Sequence, residues 1–430
     1  MNAILFIAYI VLFLSFINLI RLLFYAVASD LFDIKNIKIA KNGSPDRNRY
    51  FSKSYNPLFT VMVPAHNEEK TLERNLISIA NNTYKNLELI IINDSSTDQT
   101  KKIALRFQRK YRHRFKNIKV INAFVRGKAK ALNEGLKYAK GSIFMCLDAD
   151  SAIAPNLISG AVESFRDKSL GAMPSNVKIF PNKGLLNLLQ RVEYLICYQM
   201  KKAESSVRIQ YIIGGIGSMY RMRILKKLKC FETDTITEDI DLSMKMIAQY
   251  GDKKYIGYNP ALVACTEAVL SLRDLIKQRF RWKYGRYQVF LKRREMFISK
   301  KRDANRLLSW VALPYALFAE LTFLFEPLTI GLMIYLLFVY GDFSMIIGSA
   351  LTFSFYTIIQ VTGATQSYSR GERVKLALFA PLSYLLMYLL SMVEYVATVK
   401  GFLSLKKLLY EHKTGVSGCQ WDHVKRAAVN

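Results

Sequence analysis

Acidic pairs stand at two places in the chain where they could do chemistry. Asp148 and Asp150 directly follow the apolar run SIFMCL at 142–147, and Glu238 with Asp239 precedes a helical stretch. Two carboxylates one residue apart at the end of a buried strand are costly unless a cation neutralises them. Oxygen-only ligation suits Mg²⁺ or Mn²⁺ shared with a diphosphate. The first pair therefore indicates a metal site, and the second pair offers a general base for a hydroxyl nucleophile.

Each pair also has a structural interpretation. The first could be a surface turn, and Thr237 could cap a helix whose first turn is acidic. Asp94 follows the run LELIII at 87–92, where an acidic residue can hold a nucleotide base or ribose, although a capped loop is the alternative. Lys128, beside Gly127 at a helix start, suits an anionic ligand, because free N–H groups and the dipole add to its charge. Taken singly, a solvated lysine is the preferred explanation.

The run Gln278-Arg279-Phe280-Arg281-Trp282 offers cations and an indole between the acidic pairs and a long apolar region. Gln278, Arg281 and Trp282 share one helical face by their spacing. Arg281 can fork onto phosphate oxygens, and Trp282 presents a flat surface on which a sugar ring can stack. A membrane-interface anchor of Arg and Trp is the alternative. No role follows for Arg279.

The elements that must position these residues alternate between strands and helices. Apolar runs at 58–63, 87–92, 117–121 and 142–147 predict strands, and amphipathic stretches near 68–80, 98–113 and 128–139 predict helices. This order predicts an α/β fold with a mostly parallel central sheet and helices on both faces. Ligands bind beyond the carboxyl ends of strands in such folds, where the motifs above stand.

Composition bounds the class of protein. The chain has 430 residues, of which 51% are hydrophobic, and a formal net charge of +29. Its mean hydropathy of +0.10 favours a soluble body attached to membrane helices. Its five cysteines show no C-x-x-C pairing, which indicates cytosolic thiols rather than disulfides or a zinc site. Basic residues flank the apolar segments, as the positive-inside rule and anionic lipids favour. No nucleic-acid-binding pattern is present, so nucleic acid is not expected as a partner.

Four apolar blocks predict the membrane region. Residues 3–28 are long enough to span, and a signal peptide is a weaker interpretation because the charged n-region and cleavage site are missing. Further blocks lie at 307–340, 343–366 and 376–399, and 184–206 reads equally well as an interfacial or a core helix. Glu320, Glu326 and Glu394 lie in or near these blocks, where they could line a polysaccharide channel, pair with Arg21 or snorkel.

The number of spans poses a difficulty. With a cytosolic catalytic domain, three full spans after it would place the basic tail outside, against the positive-inside rule. The overlong block 307–340, broken by Pro314 and Pro327, predicts an interfacial part followed by one span. The number of crossings after the catalytic domain must be even to keep the tail in the cytosol. This still requires Pro381 to mark a re-entrant or interfacial segment.

Together these motifs resemble those of the processive membrane-bound family 2 glycosyltransferases, the synthases of poly-N-acetylglucosamine, hyaluronan, chitin and cellulose. The resemblance covers roughly residues 58–285 with the motifs in the family's order, and the overall layout looks most like the poly-β-1,6-N-acetylglucosamine synthases. It implies a cytosolic GT-A-type nucleotide-sugar-binding domain with transmembrane and interfacial helices. It also implies a multi-pass protein of the cell membrane.

The resemblance implies a role for each matching residue. Asp94 and Lys128 would contact the uridine end of the donor, and Asp148 and Asp150 look like the D-x-D pair that holds Mg²⁺ or Mn²⁺ with the diphosphate. Asp239, beside Glu238, matches the catalytic base. Gln278 and Arg281 would bind the diphosphate, and Trp282 would form the floor of the acceptor-sugar site. The loop 214–218 loosely matches an acceptor loop of the family.

The tail departs from the family pattern. Hyaluronan synthases carry Trp-Gly-Thr-Arg on a loop that closes over the nucleotide, whereas this chain has Trp421 followed by Asp-His-Val-Lys-Arg. Trp421 is the candidate gating residue. The predicted layout is a membrane helix at 1–29, a linker at 30–56, the glycosyltransferase domain at 57–290, a basic interfacial segment at 291–306, membrane helices at 307–400 and a basic tail with the gating loop at 401–430.

The implied activity is processive, inverting polymerisation of a UDP-sugar, UDP-N-acetylglucosamine above all, into an extracellular polysaccharide that crosses the membrane. The implied partners are the donor, the growing chain, membrane lipids and a small membrane accessory subunit. Two alternatives remain. One is a transferase that adds a single sugar to a lipid carrier, and the other is a non-catalytic sugar-binding or transport accessory protein, against which the intact acidic clusters speak.

Overall fold

A computed structural model of the chain describes residues 2–41, 55–341 and 343–414. The strands are β1 (Phe59–Ala65), β2 (Leu87–Asp94), β3 (Asn117–Ala123), β4 (Ile143–Cys146), β5 (Ala152–Ile153), β6 (Leu170–Met173), β7 (Asn176–Ile179), β8 (Ser218–Arg221), β9 (Tyr255–Ile256) and β10 (Val263–Thr266). The helices of the catalytic body are α2 (Leu72–Ala80), α3 (Thr100–Tyr111), α4 (Lys128–Leu136), α5 (Leu157–Ser164), α6 (Leu185–Ser206), α7 (Met222–Lys227), α8 (Glu238–Tyr250) and α9 (Leu272–Lys292). The remaining helices are α1 (Asn2–Lys41), α10 (Leu313–Thr322), α11 (Glu326–Tyr340), α12 (Ser344–Gly363), α13 (Arg370–Leu403) and α14 (Leu405–Thr414).

The central sheet has seven strands in the order β3-β2-β1-β4-β8-β6-β9. β1 pairs in parallel with β2 and β4, and β2 pairs in parallel with β3, in register Phe59↔Leu87 and Glu88↔Asn117. β8 alone runs antiparallel to its neighbours β4 and β6. The predicted α/β fold with a mostly parallel sheet is therefore confirmed, and the four predicted strands and three predicted helices all form.

Side chains alternate between the two faces of the sheet, as strand geometry requires. Val61 and Leu89 pack on one face with residues of α2, α3 and α5. Met62, Ile90 and Phe144 pack on the other with residues of α4, α7 and α8. Because helices cover both faces, the inner parallel strands β1, β2 and β4 are mostly apolar rather than alternating, which explains why their sequence signal was strong.

A second sheet of three strands, in the order β5-β10-β7, continues the fold beside the central one. β10 runs antiparallel to β5 and parallel to β7. β5 begins two residues after Asp150 and β10 ends at Thr266, so this sheet borders the first acidic pair. The sequence did not predict it, because strands of two to four residues carry too little periodicity.

Among the described residues, four helical segments are long and apolar enough to cross a membrane: Leu5–Ile34, Leu308–Tyr340, Ile346–Gly363 and Arg370–Leu403. The chain is helical without a break from 308 to 340, with a π-helix at Leu308–Ala312 and a 3₁₀ turn at Phe323–Phe325. Pro314 and Pro327 lie in the first turns of α10 and α11, directly after the π-helix and the 3₁₀ turn. The block thus contains two α-helices joined by a 3₁₀ turn, and the assignment of its first part to the membrane interface stays a prediction.

α13 is continuous through Pro381, so this proline marks no re-entrant break. Its first turn lies against the catalytic body, where Glu372 pairs with Arg191 of α6 at 3.3 Å. Its last turn also lies there, because a β-carbon added at Gly401 would be 2.8 Å from Tyr287 Cε2 of α9. Both ends of this 34-residue helix thus contact the same body.

α6 packs between the catalytic body and the membrane helices. Val192 and Leu195 pack with Val361 of α12 and Leu376 of α13. Lys202 pairs with Asp33 of α1 at 2.7 Å. The amphipathic stretch 184–206 therefore packs between the two regions, and its place in the membrane interface stays a prediction.

Candidate active site

The loop after β4 carries the first acidic pair at the carboxyl ends of the parallel strands. Asn75 of α2 donates from Nδ2 to the backbone oxygens of Asp148 at 2.9 Å and Ser151 at 2.7 Å, which holds the turn closed. The Asp150 carboxylate is buried and accepts from Ser151 Oγ at 3.0 Å. Asp148 is more exposed, with about a quarter of its side chain accessible (24%). The two carboxylates therefore differ, one held by the protein and one presented to the cleft.

Lys128 begins α4 and reaches across to the acidic groups. Its Nζ lies 2.7 Å from Asp148 Oδ1 and 3.2 Å from Glu238 Oε1. Burial opposes the charged form, but Asp148 and then Glu238 outweigh it and raise the pKa of Lys128 well above its ordinary value. Lys128 is thus a permanent cation in a cleft of carboxylates, and the solvated alternative is wrong.

Asp94 organises the loop from which Lys128 projects. Its two carboxylate oxygens accept from the backbone N–H groups of Arg126 at 3.0 Å and Gly127 at 2.8 Å. Gly127 has φ of +136°, a conformation that favours glycine, and nothing lies within 4 Å of the position its β-carbon would take. The strand end of β2 and the start of α4 therefore form one rigid corner that opens to the cleft.

Glu238 and Asp239 begin α8, after Thr237 at the N-cap position. Asp239 Oδ1 accepts from the backbone N–H of Ile240 at 2.8 Å. Burial and Glu238 raise the pKa of Asp239 to about 7, although Lys128 and this hydrogen bond act in the opposite direction. Because Asp239 remains partly accessible, a carboxylate near neutral pKa faces the cleft. This is the pKa that a general base needs at physiological pH.

The small-residue loop before β8 lies beside both the cation and the base. A β-carbon added at Gly215 would be 2.7 Å from Lys128 Nζ and 3.3 Å from Asp239 Oδ2. The two charged groups therefore face the same glycine. The structure thus brings Lys128, Asp148, Glu238 and Asp239 together with the loop 214–218.

α9 carries Gln278, Arg281 and Trp282 and begins with the cap that its sequence dictates. Ser271 accepts from the backbone N–H of Asp274 at 3.1 Å. Further along, Gly285 packs against Thr237, and Gln288 Oε1 accepts from the backbone N–H of Ile236 at 3.0 Å. The helix is thus docked on the loop that immediately precedes Asp239.

The three residues of the predicted helical face differ in environment. Gln278 is buried, whereas Arg281 and Trp282 are partly exposed. In the part of the chain that the structure describes, Arg281 has no ion pair or hydrogen bond, so its guanidinium is available to an anionic ligand. Trp282 is covered on one side by Arg279, whose Cζ lies 4.5 Å from the ring centroid. No direct contact joins these three to Asp239, and their shared location follows from the docking of α9.

The residues present fit a hard divalent cation. Asp148 and Asp150 offer only oxygen donors, which Mg²⁺ and Mn²⁺ prefer, and an ammonium group already lies against Asp148. Within the described ranges, the one group of three or more His, Cys, Asp or Glu side chains close enough together to hold a metal is Glu232, Asp234 and Asp241. Lys292 pairs with all three, so that group anchors the end of α9.

Trp421 lies outside the described residues. The helix before it, α14, is tied to α9, because Glu411 accepts from Tyr284 Oη at 3.0 Å and from Gln288 Nε2 at 2.9 Å. Gln288 also accepts from the loop before Asp239, as described above. The start of the tail is therefore connected to the catalytic loop through one side chain.

Sequence reasoning missed several residues that shape the site. Asn75 and Ser151 hold the first acidic pair, and Tyr198 of α6 lies near Asp239 of the second, with Tyr194 one turn before it. Burial, then Tyr194 and Cys197, and last the carboxylate of Asp239 raise the pKa of Tyr198 well above its ordinary value, so its phenol lies within electrostatic reach of the base. The i, i+4 spacing of the two tyrosines was visible on the stretch 184–206, but nothing local related it to Asp239.

Comparisons with known proteins agree with this geometry. The model of the Glycosyl transferase family 2 matches residues 60–229. A poly-beta-1,6-N-acetyl-D-glucosamine synthase of Staphylococcus epidermidis is 31% identical over 325 residues, which are 73% of this chain and 76% of that protein. The synthase of the same name from Staphylococcus aureus (strain COL) is 29% identical over 300 residues, 67% of this chain and 68% of that one.

A solved structure shares the fold. The mannosyltransferase from Pyrobaculum calidifontis in complex with GDP-Man and Mn²⁺ matches with a TM-score of 0.52 and 21% sequence identity, over 88% of this chain and 99% of that one. The family match ends at residue 229, before Asp239 and α9. The arrangement of the base and of the helix with Trp282 therefore rests on the geometry of this chain.

Proposed function

Because the chain belongs to the family 2 glycosyltransferases, we propose that it is a processive, inverting enzyme that polymerises UDP-N-acetylglucosamine into an extracellular polysaccharide. One observation carries the proposal: Lys128 Nζ and Asp239 Oδ2 both lie next to Gly215, 2.7 Å and 3.3 Å from the position of an added β-carbon, so a donor-binding cation and a base of near-neutral pKa share one cleft. The relatives named poly-beta-1,6-N-acetyl-D-glucosamine synthase support the choice of sugar and of a polymeric product.

The proposed reaction is one displacement at C1 of the donor sugar. Asp239 accepts the proton of an acceptor hydroxyl, whose oxygen forms a bond to C1 while the bond from C1 to the diphosphate oxygen breaks, with inversion at C1. UDP leaves with the electron pair of that bond. Burial raises the pKa of Asp239 to about 7, so its carboxylate is basic enough to take the proton near that pH.

The remaining residues bind and orient the donor. Asp94 holds the corner at Gly127 beside which the uridine binds, and Lys128 and Arg281 neutralise the departing diphosphate together with Gln278. Asp148 and Asp150 would hold Mg²⁺ or Mn²⁺, which supplies further charge neutralisation on the diphosphate when bound. Glu238 maintains the pKa of Asp239 and the position of Lys128.

Trp282 is proposed as the platform on which the terminal sugar of the growing chain stacks. It is partly exposed and lies on the helix that docks beside the base. Stacking on an aromatic face holds a sugar without specifying its hydroxyl pattern, so the polymer can slide by one unit after each transfer. This is the property that a processive enzyme requires. Trp421, on the tail after α14, is proposed to close over the nucleotide.

Three spans account for the membrane topology with a cytosolic catalytic domain and tail. α1, the segment 308–340 and α12 would cross, whereas α13 would lie along the membrane face, because both its ends contact the catalytic body. A helix of 34 residues is roughly 50 Å long, so a crossing helix could not return its far end to that body. Leu378, Leu382, Leu385 and Leu389 form an exposed apolar stripe on α13 that suits contact with lipid.

The same topology leaves the basic tail in the cytosol, as the positive-inside rule favours. It would also place 1–29 and 307–363 as the membrane part and 57–290 as the catalytic domain, with 291–306 as the basic connection. The polymer would leave through helices next to Trp282. A small membrane accessory subunit as partner would show as activity in native membranes that is lost on purification.

The test is the product formed by the purified full-length chain with UDP-N-acetylglucosamine and Mg²⁺ or Mn²⁺. A processive synthase is expected to form long polymer, which is sized by gel filtration. The polymer should keep its label when unlabelled donor is added as a chase. Addition of one sugar to a lipid carrier would replace this function by the alternative transferase. Absence of metal-dependent UDP binding would instead favour the accessory protein.

A further inference from the structure

We propose that Arg279, which the sequence left without a role, is the positioning residue of Trp282. Its guanidinium covers one face of the indole and is itself held by carboxylates from two other helices, so that the other face of the indole keeps one orientation toward the acceptor. This inference rests on the proposed function of Trp282 and deepens it.

The contacts of Arg279 come from three directions. Its Nη2 donates to Glu193 Oε2 of α6 at 2.7 Å, and its Nε lies 3.4 Å from Glu394 Oε1 of α13. Its Cζ lies 4.5 Å from the centroid of the Trp282 ring. The planar guanidinium can stack flat on an aromatic ring while its edge donates to carboxylates, whereas an ammonium group has no plane with which to stack. The two carboxylates on its edge therefore fix the orientation of Arg279. Its flat face in turn fixes the orientation of Trp282.

Arg279 and Arg281 divide two tasks. The side chain of Arg279 is 8% exposed and paired with two carboxylates, so no anionic ligand can reach it without breaking those pairs. Arg281 is partly exposed and has no partner in the described residues. The second arginine is thus suited to the diphosphate, whereas the first is suited to hold the platform.

The two carboxylates connect the platform to the membrane region. Glu394 also pairs with Lys283 at 2.9 Å, and Lys283 pairs with Glu320 of α10 at 2.5 Å. Glu320 in turn pairs with Arg286. Three cations on one face of α9 therefore alternate with three carboxylates from α6, α13 and α10. The side chain of Arg279 is buried and lies against two of these carboxylates, so its guanidinium has little freedom to move, and neither has the indole that it covers.

The experiment compares Arg279→Lys with Arg286→Lys in the full-length protein. Both changes keep the positive charge and replace the guanidinium, but Arg286 pairs with Glu320 two turns further along α9. UDP affinity serves as the measure of folding, and it should change by less than about twofold in both variants. For Arg279→Lys, the KM for an oligomer of β-linked N-acetylglucosamine should rise by about tenfold with a smaller change in kcat.

A spectroscopic measurement reports on Trp282 directly. The chain has three tryptophans, so replacing Trp310 and Trp421 by Phe leaves the fluorescence of Trp282 alone. Acrylamide quenching of that fluorescence should increase by about twofold in Arg279→Lys, since the covering cation no longer lies flat on the ring. Arg286→Lys should change neither the quenching nor the KM for the oligomer.

Unchanged KM and quenching in Arg279→Lys would overturn the proposal, as would equal changes in Arg286→Lys. If Arg279→Lys fails to bind UDP, Glu193→Ala takes its place, because it keeps Arg279 and removes the carboxylate that accepts from it at 2.7 Å. The same rise in KM and quenching is then expected, and its absence would overturn the proposal. If Trp282→Ala makes polymer as the wild type does, the acceptor role of Trp282 is refuted instead. The quenching result, which concerns the contact of Arg279 with Trp282, would still stand.

Discussion

Gly285 of α9 lies directly against Thr237, the residue before the second acidic pair. A β-carbon added at Gly285 would be 2.5 Å from Thr237 Cγ2 and 2.6 Å from its Oγ1. Thr237 is β-branched and buried, so it cannot move aside easily. The separation between the helix of Trp282 and the loop of Asp239 is thus set by the absence of one methyl group.

Gly285→Ala should therefore impair catalysis rather than donor binding. The added methyl group must push α9 away from Thr237, and a displacement of ~1 Å at an active site can cost about 10²-fold in kcat. UDP affinity should remain near that of the wild type. The matched control is Gly348→Ala in α12, where nothing lies within 4 Å of the β-carbon position. Equal kcat values for the two variants would contradict the close packing at Thr237.

The activity should depend on pH through Asp239. Because the base must be unprotonated and its pKa is raised to about 7, kcat/KM for the acceptor should fall by about tenfold per pH unit below that value and level off above it. Glu238→Gln removes a carboxylate that raises this pKa and should move the acidic limb to lower pH. A limb that stays in place would show that Glu238 does not act on Asp239.

Asp239→Asn should lose turnover but keep UDP binding, and it should also be more stable at alkaline pH. The folded-state pKa lies above the ordinary value of 3.8, so protonated Asp239 favours folding, and this contribution is lost as pH rises toward 7. Removing the charge should thus raise the melting temperature by roughly 5 °C at pH 8 and by much less at pH 4. A uniform shift at both pH values would mean that the charge is not the cause.

Lys128→Gln should strengthen metal binding in the absence of donor. The ammonium lies 2.7 Å from Asp148 Oδ1 and competes with any cation for that oxygen. Mn²⁺ affinity, followed by electron paramagnetic resonance, should increase by about tenfold, whereas the affinity for UDP should decrease. Lys130→Gln, an exposed position on the same helix, is the control and should alter neither. Unaltered Mn²⁺ affinity in Lys128→Gln would argue against a shared site.

Labelling of single cysteines tests the proposed topology. In a background without the native cysteines, Lys406→Cys in α14 should react with a membrane-impermeant maleimide only from the cytosolic side. Tyr340→Cys, at the far end of α11 and 68% exposed, should react only from the outside. Labelling of both positions from the same side would show that α13 crosses the membrane.

Much of the site was predictable because it depends on local patterns. The strands SIFMCL and LELIII, each followed by carboxylates, placed Asp94, Asp148 and Asp150 at one edge of the sheet, since parallel strands share that edge. The i, i+3, i+4 spacing in turn placed Gln278, Arg281 and Trp282 on one helix face. These inferences need only the period of a strand or helix.

The pairings of charged groups could not be predicted in the same way. Glu320 and Glu394 were assigned to a channel, to Arg21 or to snorkelling, whereas they pair with Lys283, Arg286 and Arg279. Lys128 could be solvated or bound to an anion, and it pairs with Asp148. Each partner lies far along the chain, and long charged side chains reach many positions, so only packing selects among them.

The sequence by itself determined the α/β order, the apolar segments and the candidates for the reactive groups, because these follow from residue types and short-range periodicity. The tertiary structure alone decided that α13 returns to the catalytic body at both ends, that Gly285 meets Thr237 and that Arg279 covers Trp282. The physical reason is the same in each case. These relationships join segments that are local in space and distant in the chain, and they are selected by the close packing of helices rather than by any pattern within one of them.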